Sequence, residues 1–324
     1  MAALEALRHP RVARLKPLFI WNRFTARLKP RPDTKRQAFR HPRPPMTIKS
    51  ESAPDWGNQF RLVASERWKA KSAAMGQAVT DALVEYARPA AGMRVLDLAS
   101  GTGEPAISLA SRVGADGHVT ALDLSAGLLE IAAERARVRG LTNFTTQQAD
   151  AQSLPFPDER FDLATSRFGV MFFPDPRAAL RELRRVLRNR ARACFLAWGS
   201  IDQPYWQSMM GVVQRHVGGP LLQPEGPNPF RFAEPGSLSA VLRSAGFNAV
   251  EEEARTVPWI WPGPVEELWE YSQSVAVPFR PLLERVPAEK WPEIHAEVHA
   301  AVREFVDGDK VAFGVSVVMA SGTK

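Results

Sequence analysis

Cysteine is nearly absent from this chain: among 324 residues, Cys194 is the one thiol. That excludes a disulfide framework and any Cys-rich metal site. Within the apolar run "ACFLAW", Cys194 reads as a buried structural residue. Long hydrophobic runs are also missing, with nothing near the ~18 apolar residues of a membrane span. Acidic charge is scarce at the start, where residues 1–50 hold 13 Lys and Arg against only Glu5 and Asp33. The formal net charge of +7 therefore belongs to this arm, and the remainder is acidic by 4. Without a basic body, a nucleic-acid partner is not expected.

Residues 1–45 are expected to be a basic, disordered arm, or sequence upstream of a true start at Met46. "HPRPP" just before Met46 cannot continue a helix. An Arg-rich, acid-poor segment also fits a mitochondrial-type transit peptide, but no serine occurs before Ser50. A cytoplasmic protein is thus the first expectation, and the mitochondrial matrix the alternative. Residues 46–324 are read as one domain, and an apolar content of 45% allows a substantial core.

Within that domain, residues 55–87 have helical spacing and predict one or two leading helices. Strict alternation follows. "MRVLDLA" predicts a strand, Glu104–Val113 a helix, "HVTALDL" a strand and Ala126–Arg139 a helix. "NFTTQQA" and "FDLATSRF" predict the third and fourth strands, Pro176–Leu187 a helix and "ACFLAW" the fifth strand. Apolar strands alternating with amphipathic helices predict an α/β fold, a doubly wound and mostly parallel sheet. A helical segment at Tyr205–His216, a Pro/Gly-rich loop and the helix "SLSAVLRSAGF" precede a sixth strand, "NAVEEEARTVPWI". Helical material from Pro264 to about Val306 leads to a closing seventh strand, "KVAFGVSVVMAS". Cap insertions are expected at about 201–235 and 262–308, flanking strand six and covering a pocket.

Ligands of open α/β sheets sit at the carboxyl ends of the strands. Four strand ends carry polar or glycine features. After the first come Asp97, Ala99, Ser100, Gly101 and Gly103, spaced D-x-A-x-G-x-G; glycine turns the backbone sharply and admits a ligand close to it. At the second are Asp123 and Leu124, where a carboxylate can accept both hydroxyls of a ribose. Asp150 and Ala151 follow the third, within reach of an adenine edge. Ser166 and Arg167 end the fourth. The turn by itself also fits the G-x-G-x-x-A of a nicotinamide-binding fold.

Taken together in this order, the four features resemble class I S-adenosylmethionine-dependent methyltransferases over roughly residues 56–260. "FPDPRAALRELRRVL" is similar to a helix of the branch that includes ubiquinone- and menaquinone-biosynthesis methyltransferases. The resemblance implies a seven-stranded Rossmann-like fold with S-adenosyl-L-methionine as cofactor. It implies that Gly101 and Gly103 pass beneath the methionine part, Asp97 orients the amino group, Asp123 binds ribose, and Asp150 with Ala151 binds adenine. Asp97 favours this over a dinucleotide, because a carboxylate repels a pyrophosphate but attracts an ammonium and a sulfonium.

Two departures stand out. Ala99 occupies a position where glycine is commoner, and "RVLRNRARACFLAW" lacks the Pro-Gly-Gly usual before the fifth strand. By the family pattern, Trp56, Phe60 and Trp68 line a lid over the cofactor, with ordinary core packing as the alternative. Arg167 and His216 are weak catalytic candidates. His295 and His299 have zinc-compatible spacing without a third ligand, so no metal is expected. "SRFGVMFF" lacks the Asn/Asp-Pro-Pro-aromatic motif of many amino-group methylases, and one cysteine disfavours arsenite. A small, aromatic or hydrophobic methyl acceptor remains, methylated in line; the alternatives are a quinone-pathway C-methyltransferase and a non-catalytic S-adenosylmethionine-binding protein.

Overall fold

Asp97 on the first strand pairs in register with Thr165 on the fourth, and the sheet grows outward from that seam in two directions. The computed structural model describes residues 67–324. Its parallel strands are β1 (Arg94–Leu98), β2 (His118–Asp123), β3 (Phe144–Gln148), β4 (Phe161–Arg167) and β5 (Leu187–Trp198). Three more follow: β6 (Asn248–Trp261), β7 (Val306–Asp307) and β8 (Lys310–Thr323). The order is β3-β2-β1-β4-β5-β8-β6, with β8 antiparallel to both of its neighbours. The expected α/β architecture is present, but the sheet has eight strands rather than seven. The extra one, β7, folds back at Gly308 (φ 65°) and pairs Val306 with Val311 and Asp307 with Lys310. Two residues are too few to show a period in sequence.

Helices α1 (Lys69–Met75) and α2 (Gln77–Ala87) lead into the sheet and pack against β6 and β5. Between strands come α3 (Ala106–Val113), α4 (Ala126–Val138) and α5 (Pro176–Val186). Local chemistry fixes where these begin. The Ser125 hydroxyl accepts the Leu128 N–H at 3.3 Å, and Asp175 accepts the Ala178 N–H at 2.9 Å. Pro176 opens α5, where its missing N–H costs little, and Arg184 and Arg185 close it near the negative dipole end. Strands β1 and β5 are covered on both faces, and Val95, Leu96, Ala193, Phe195 and Ala197 are all fully buried. Cys194 is buried among them, and loss of solvent pushes its thiol up to about 12.

After β5 the chain forms the helical turn Pro204–Trp206, a π-helical stretch Gln207–Gly211 and α6 (Val212–Val217). Helix α7 (Ser237–Ser244) precedes β6, and Glu252 within the acidic run of β6 accepts the N–H groups of Gly236 and Ser239 at its start. After β6 come α8 (Val265–Val275), short helical turns and α9 (Trp291–Val302). Helix α9 touches both α6 and α8, so material from either side of β6 packs into one layer. Among the described residues no helix is long and apolar enough to cross a membrane.

The strand that lacks Pro-Gly-Gly solves its turn with a left-handed arginine. Arg190 has φ 67°, and β5 shifts register against β4 between Phe161 and Leu163. Lys324 supports the irregularity: its ammonium donates to the Leu187 and Arg185 carbonyls at 2.7 and 3.2 Å. A left-handed residue with a Cβ costs about 1–2 kcal/mol, partly offset by the entropy that glycine loses on folding. Arg190→Gly is therefore expected to raise stability by up to about 1 kcal/mol, read as a higher urea midpoint at unchanged slope.

Candidate functional site

The chain leaves β1 through three left-handed residues, Ala99 (φ 54°), Gly101 (φ 53°) and Gly103 (φ 107°). At Gly103 a Cβ would stand 2.6 Å from Ile107 Cδ1 and 3.1 Å from Ala132 Cβ, so glycine here lets the turn sink against α3 and α4. Ala99 carries a methyl group in a conformation that favours glycine. Gly169 makes room for it: a Cβ on Gly169 would come within 2.5 Å of the Ala99 Cβ. Ser100 fastens the turn by donating its N–H to Leu122 O at 2.9 Å and its hydroxyl to Asp97 O at 2.8 Å.

Three aspartates meet this turn in different states. Asp123, at the tip of β2, accepts the Gly101 N–H on Oδ2 at 2.8 Å and the Ser125 N–H on Oδ1 at 2.9 Å. It is nearly buried yet faces the cleft, so each oxygen keeps capacity for a ligand hydroxyl. Asp97 is fully buried, and its Oδ1 accepts the Thr165 hydroxyl at 2.6 Å. Asp97 Oδ2 has no partner. Burial pushes this carboxyl up to about 7, while Thr165, Ser100 and the Arg167 guanidinium act in the opposite direction. Asp150 is exposed and accepts the Gln152 N–H at 2.8 Å.

Two cavities share the turn. The smaller, about 110 Å³, is bordered by Asp123, Leu124, Asp150, Ala151 and Phe172. The larger, about 300 Å³, is bordered by Arg167, Trp198, Tyr205, Trp206 and Trp259. Ala99, Gly101, Leu128 and Phe168 border both, which makes them lobes of one cleft. The aromatic walls are mutually packed: Phe168 stacks on Trp198 at 4.3 Å, and Trp198 meets Trp259 edge-on at 5.3 Å. Burial raises the Tyr205 phenol further, so it stays protonated across the neutral range.

The structure thus brings Asp97, Ala99, Ser100, Gly101, Gly103, Asp123, Leu124, Asp150 and Ala151 to the turn and the smaller lobe, and Arg167 to the larger one. Ser166 goes elsewhere. It is fully buried and donates its hydroxyl to Leu98 O at 2.9 Å, bracing β4 against β1. His216 also lies outside both lobes, held by Glu297 at 2.7 Å where α6 meets α9. Trp68 is buried edge-on to Trp261 at 5.5 Å, in the packing between α1 and β6. Trp56 and Phe60 lie outside the described residues. His295 packs against Trp269 and Trp291 whereas His299 reaches Glu266, and no metal-binding group occurs among the described residues. Sequence reasoning missed Thr165 and the aromatic wall of Phe168, Trp198, Tyr205, Trp206 and Trp259. The wall draws on four segments distant in sequence, which only the folded sheet brings together.

A dinucleotide fits this turn poorly. The Gly101 N–H is already given to Asp123, Pro105 at the cap of α3 has no N–H, and the Glu104 carboxylate lies buried beside it. Glu104 is held by Arg139 at 3.0 Å and by the Ser108 hydroxyl at 2.7 Å. An adenosyl group carrying an ammonium fits better. The buried Oδ2 of Asp97 has no partner and can accept from an ammonium, and Gly101 and Gly103 leave the backbone bare.

Residues 95–190 match a protein family described as "Methyltransferase domain". Over 117 residues the chain is 43% identical to the ubiquinone/menaquinone biosynthesis C-methyltransferase UbiE of Xanthomonas oryzae, covering 36% of this chain and 46% of that protein. Over 126 residues it is 34% identical to the demethylmenaquinone methyltransferase of Listeria welshimeri, covering 39% and 53%. The chain spans about half the length of these curated relatives. The fold is similar to a chain in the complex between the Haloferax volcanii Trm112 methyltransferase activator and a methyltransferase. That likeness has a TM-score of 0.50 at 17% identity and covers 82% of this chain and 97% of the other. Residues 95–190 therefore match a methyltransferase domain, and the matching part of the chain is similar to ubiquinone- and menaquinone-biosynthesis methyltransferases.

Proposed function

We propose that this protein transfers a methyl group from S-adenosylmethionine to a small organic acceptor. The observation that carries the reading is the divided cleft: a lobe edged by the Asp123 and Asp150 carboxylates opens onto an aromatic lobe across the glycine turn. In the first lobe Asp123 would receive the ribose hydroxyls, and Asp150 and Ala151 would border the adenine beside Leu124. Asp97 would face the amino group, with Thr165 holding its other oxygen. Ser100, Gly101 and Gly103 would lie beneath the methionine chain. A cytoplasmic location belongs to this reading, in keeping with the lone buried thiol of Cys194.

The cofactor supplies a methyl group already activated on a sulfonium. What the chain contributes is position and dryness. Phe168, Trp198 and Trp259 would hold a flat acceptor in line with the methyl group, where charge is dispersed as transfer proceeds. Of the groups bordering the lobe, Glu104 is engaged by Arg139 and Ser108, and Tyr205 keeps its proton. A second reading, ring-carbon methylation in quinone biosynthesis, draws support from the names of the two curated relatives and from the flat aromatic walls. Restored quinone levels in a deficient strain would favour it over the general reading. A cofactor-binding protein without catalysis would show affinity and no transfer.

Incubation with labelled cofactor and fractionated cell extract is expected to give a methylated product in at least one fraction. Asp123→Ala should lower that transfer by on the order of a hundredfold, the loss of a charge-assisted ligand contact. No product in any fraction, or undiminished transfer by Asp123→Ala, contradicts the assignment. A pH dependence follows from Asp97. Burial favours its neutral form in the free protein, whereas a bound ammonium favours the carboxylate. Affinity for S-adenosylhomocysteine should therefore rise as pH increases through about 7, being roughly tenfold weaker at pH 6 than at pH 8. Calorimetry at the two pH values checks this, and Asp97→Asn should bind weakly with no such dependence.

A further inference from the structure

Arg167 is a part-buried cation that forms no ion pair with a described carboxylate, and it borders the aromatic lobe rather than the smaller one. Its Nη1 donates to the Thr80 hydroxyl at 2.7 Å and to Gly76 O at 3.2 Å, both neutral acceptors on the α1–α2 side. Its Nε is buried without a partner, and no carboxylate of the described residues lies within ion-pair distance of the guanidinium. Arg135, which borders the same lobe, is by contrast turned to Thr102 and Glu104. Gly76 leaves room for this placement: a Cβ there would stand 3.0 Å from Arg167 Nη1 and 3.8 Å from Trp259.

The carboxyl groups of Glu104 and Asp97 act on this guanidinium only from beyond ion-pair distance, and an anionic ligand would add two parallel hydrogen bonds to it. Phe168 and Trp259 flank the position with flat apolar faces. Resting on the methyltransferase reading, we propose that Arg167 selects the acceptor: a planar aromatic molecule bearing an anionic oxygen, a carboxylate or phenolate, that docks on the guanidinium. Held there by Thr80 and Gly76, Arg167 fixes one end of the acceptor and so decides which ring atom or substituent faces the methyl group.

The shared chemistry, a carboxylate-type oxygen, is also present in the cofactor, so the test separates the two. With S-adenosylhomocysteine saturating, calorimetry compares 2-naphthoate with its neutral isostere 2-naphthamide. The wild-type protein should bind the acid roughly tenfold tighter or more, as expected for a charge-assisted contact. Arg167→Gln should bring the two within about twofold, and Arg167→Lys should keep part of the preference. Equal binding of acid and amide, binding of neither, or a preference that survives Arg167→Gln overturns the proposal. So does an Arg167→Gln variant that loses affinity for S-adenosylhomocysteine but not for 5′-methylthioadenosine, since the guanidinium would then serve the cofactor. Should the variants fail to fold, the wild-type comparison decides alone. Failure of the wild-type protein to bind S-adenosylhomocysteine would instead sink the methyltransferase reading itself.

Discussion

The Asp123 carboxylate holds the site together by accepting N–H groups from both sides of the cleft floor, Gly101 after β1 and Ser125 before α4. Through the first bond it fixes a glycine turn that has no regular structure of its own. Through the second it sets the start of α4, whose Leu128 closes the floor shared by both lobes. The parallel register of β1 and β2, with Leu98 beside Leu122, brings the two tips level so that one side chain can span them. Removing this carboxylate would free the turn and the ligand contact together.

On the other side of β1 a different pairing does similar work. Thr165 and Ser166 are adjacent on β4, and the two-residue period of a strand sends them to different partners, the Asp97 carboxylate and the Leu98 carbonyl. One thus tunes a buried acid while the other locks the strands. Beyond them Arg167 at the end of β4 and Phe168 after it border the aromatic lobe, and Gly169 borders the smaller lobe and makes room for the Ala99 methyl. The seam between β1 and β4 is therefore where the glycine turn and the aromatic lobe meet, at the point where strand order reverses.

Much of this was readable in the sequence because it rests on local signals. Apolar strand runs, amphipathic helices and their spacing carry the parallel sheet, and "LDLASGTG" and "ALDLS" carry the turn and Asp123. What escaped depends on distance or direction. β7 is two residues long, and Ser166 differs from Thr165 only in which side of the strand it faces. The aromatic wall draws Trp198 from the tip of β5, Tyr205 and Trp206 from the insertion and Trp259 from β6, joined only by the folded sheet. His216 failed as a candidate for a similar reason: its partner, Glu297, is 81 residues away. The missing Pro-Gly-Gly, in contrast, was flagged locally and proved to be local, a left-handed Arg190 braced by Lys324 at the end of the sheet remote from the cleft.

The central claim is that the glycine turn with its two aspartates recognises an adenosyl amino acid and not a dinucleotide. Parallel calorimetric titrations of the wild-type protein with S-adenosylhomocysteine and with NAD⁺ test it directly. Saturable one-to-one binding of S-adenosylhomocysteine and no heat from NAD⁺ is the predicted result. Binding of NAD⁺ in preference to S-adenosylhomocysteine would contradict the account.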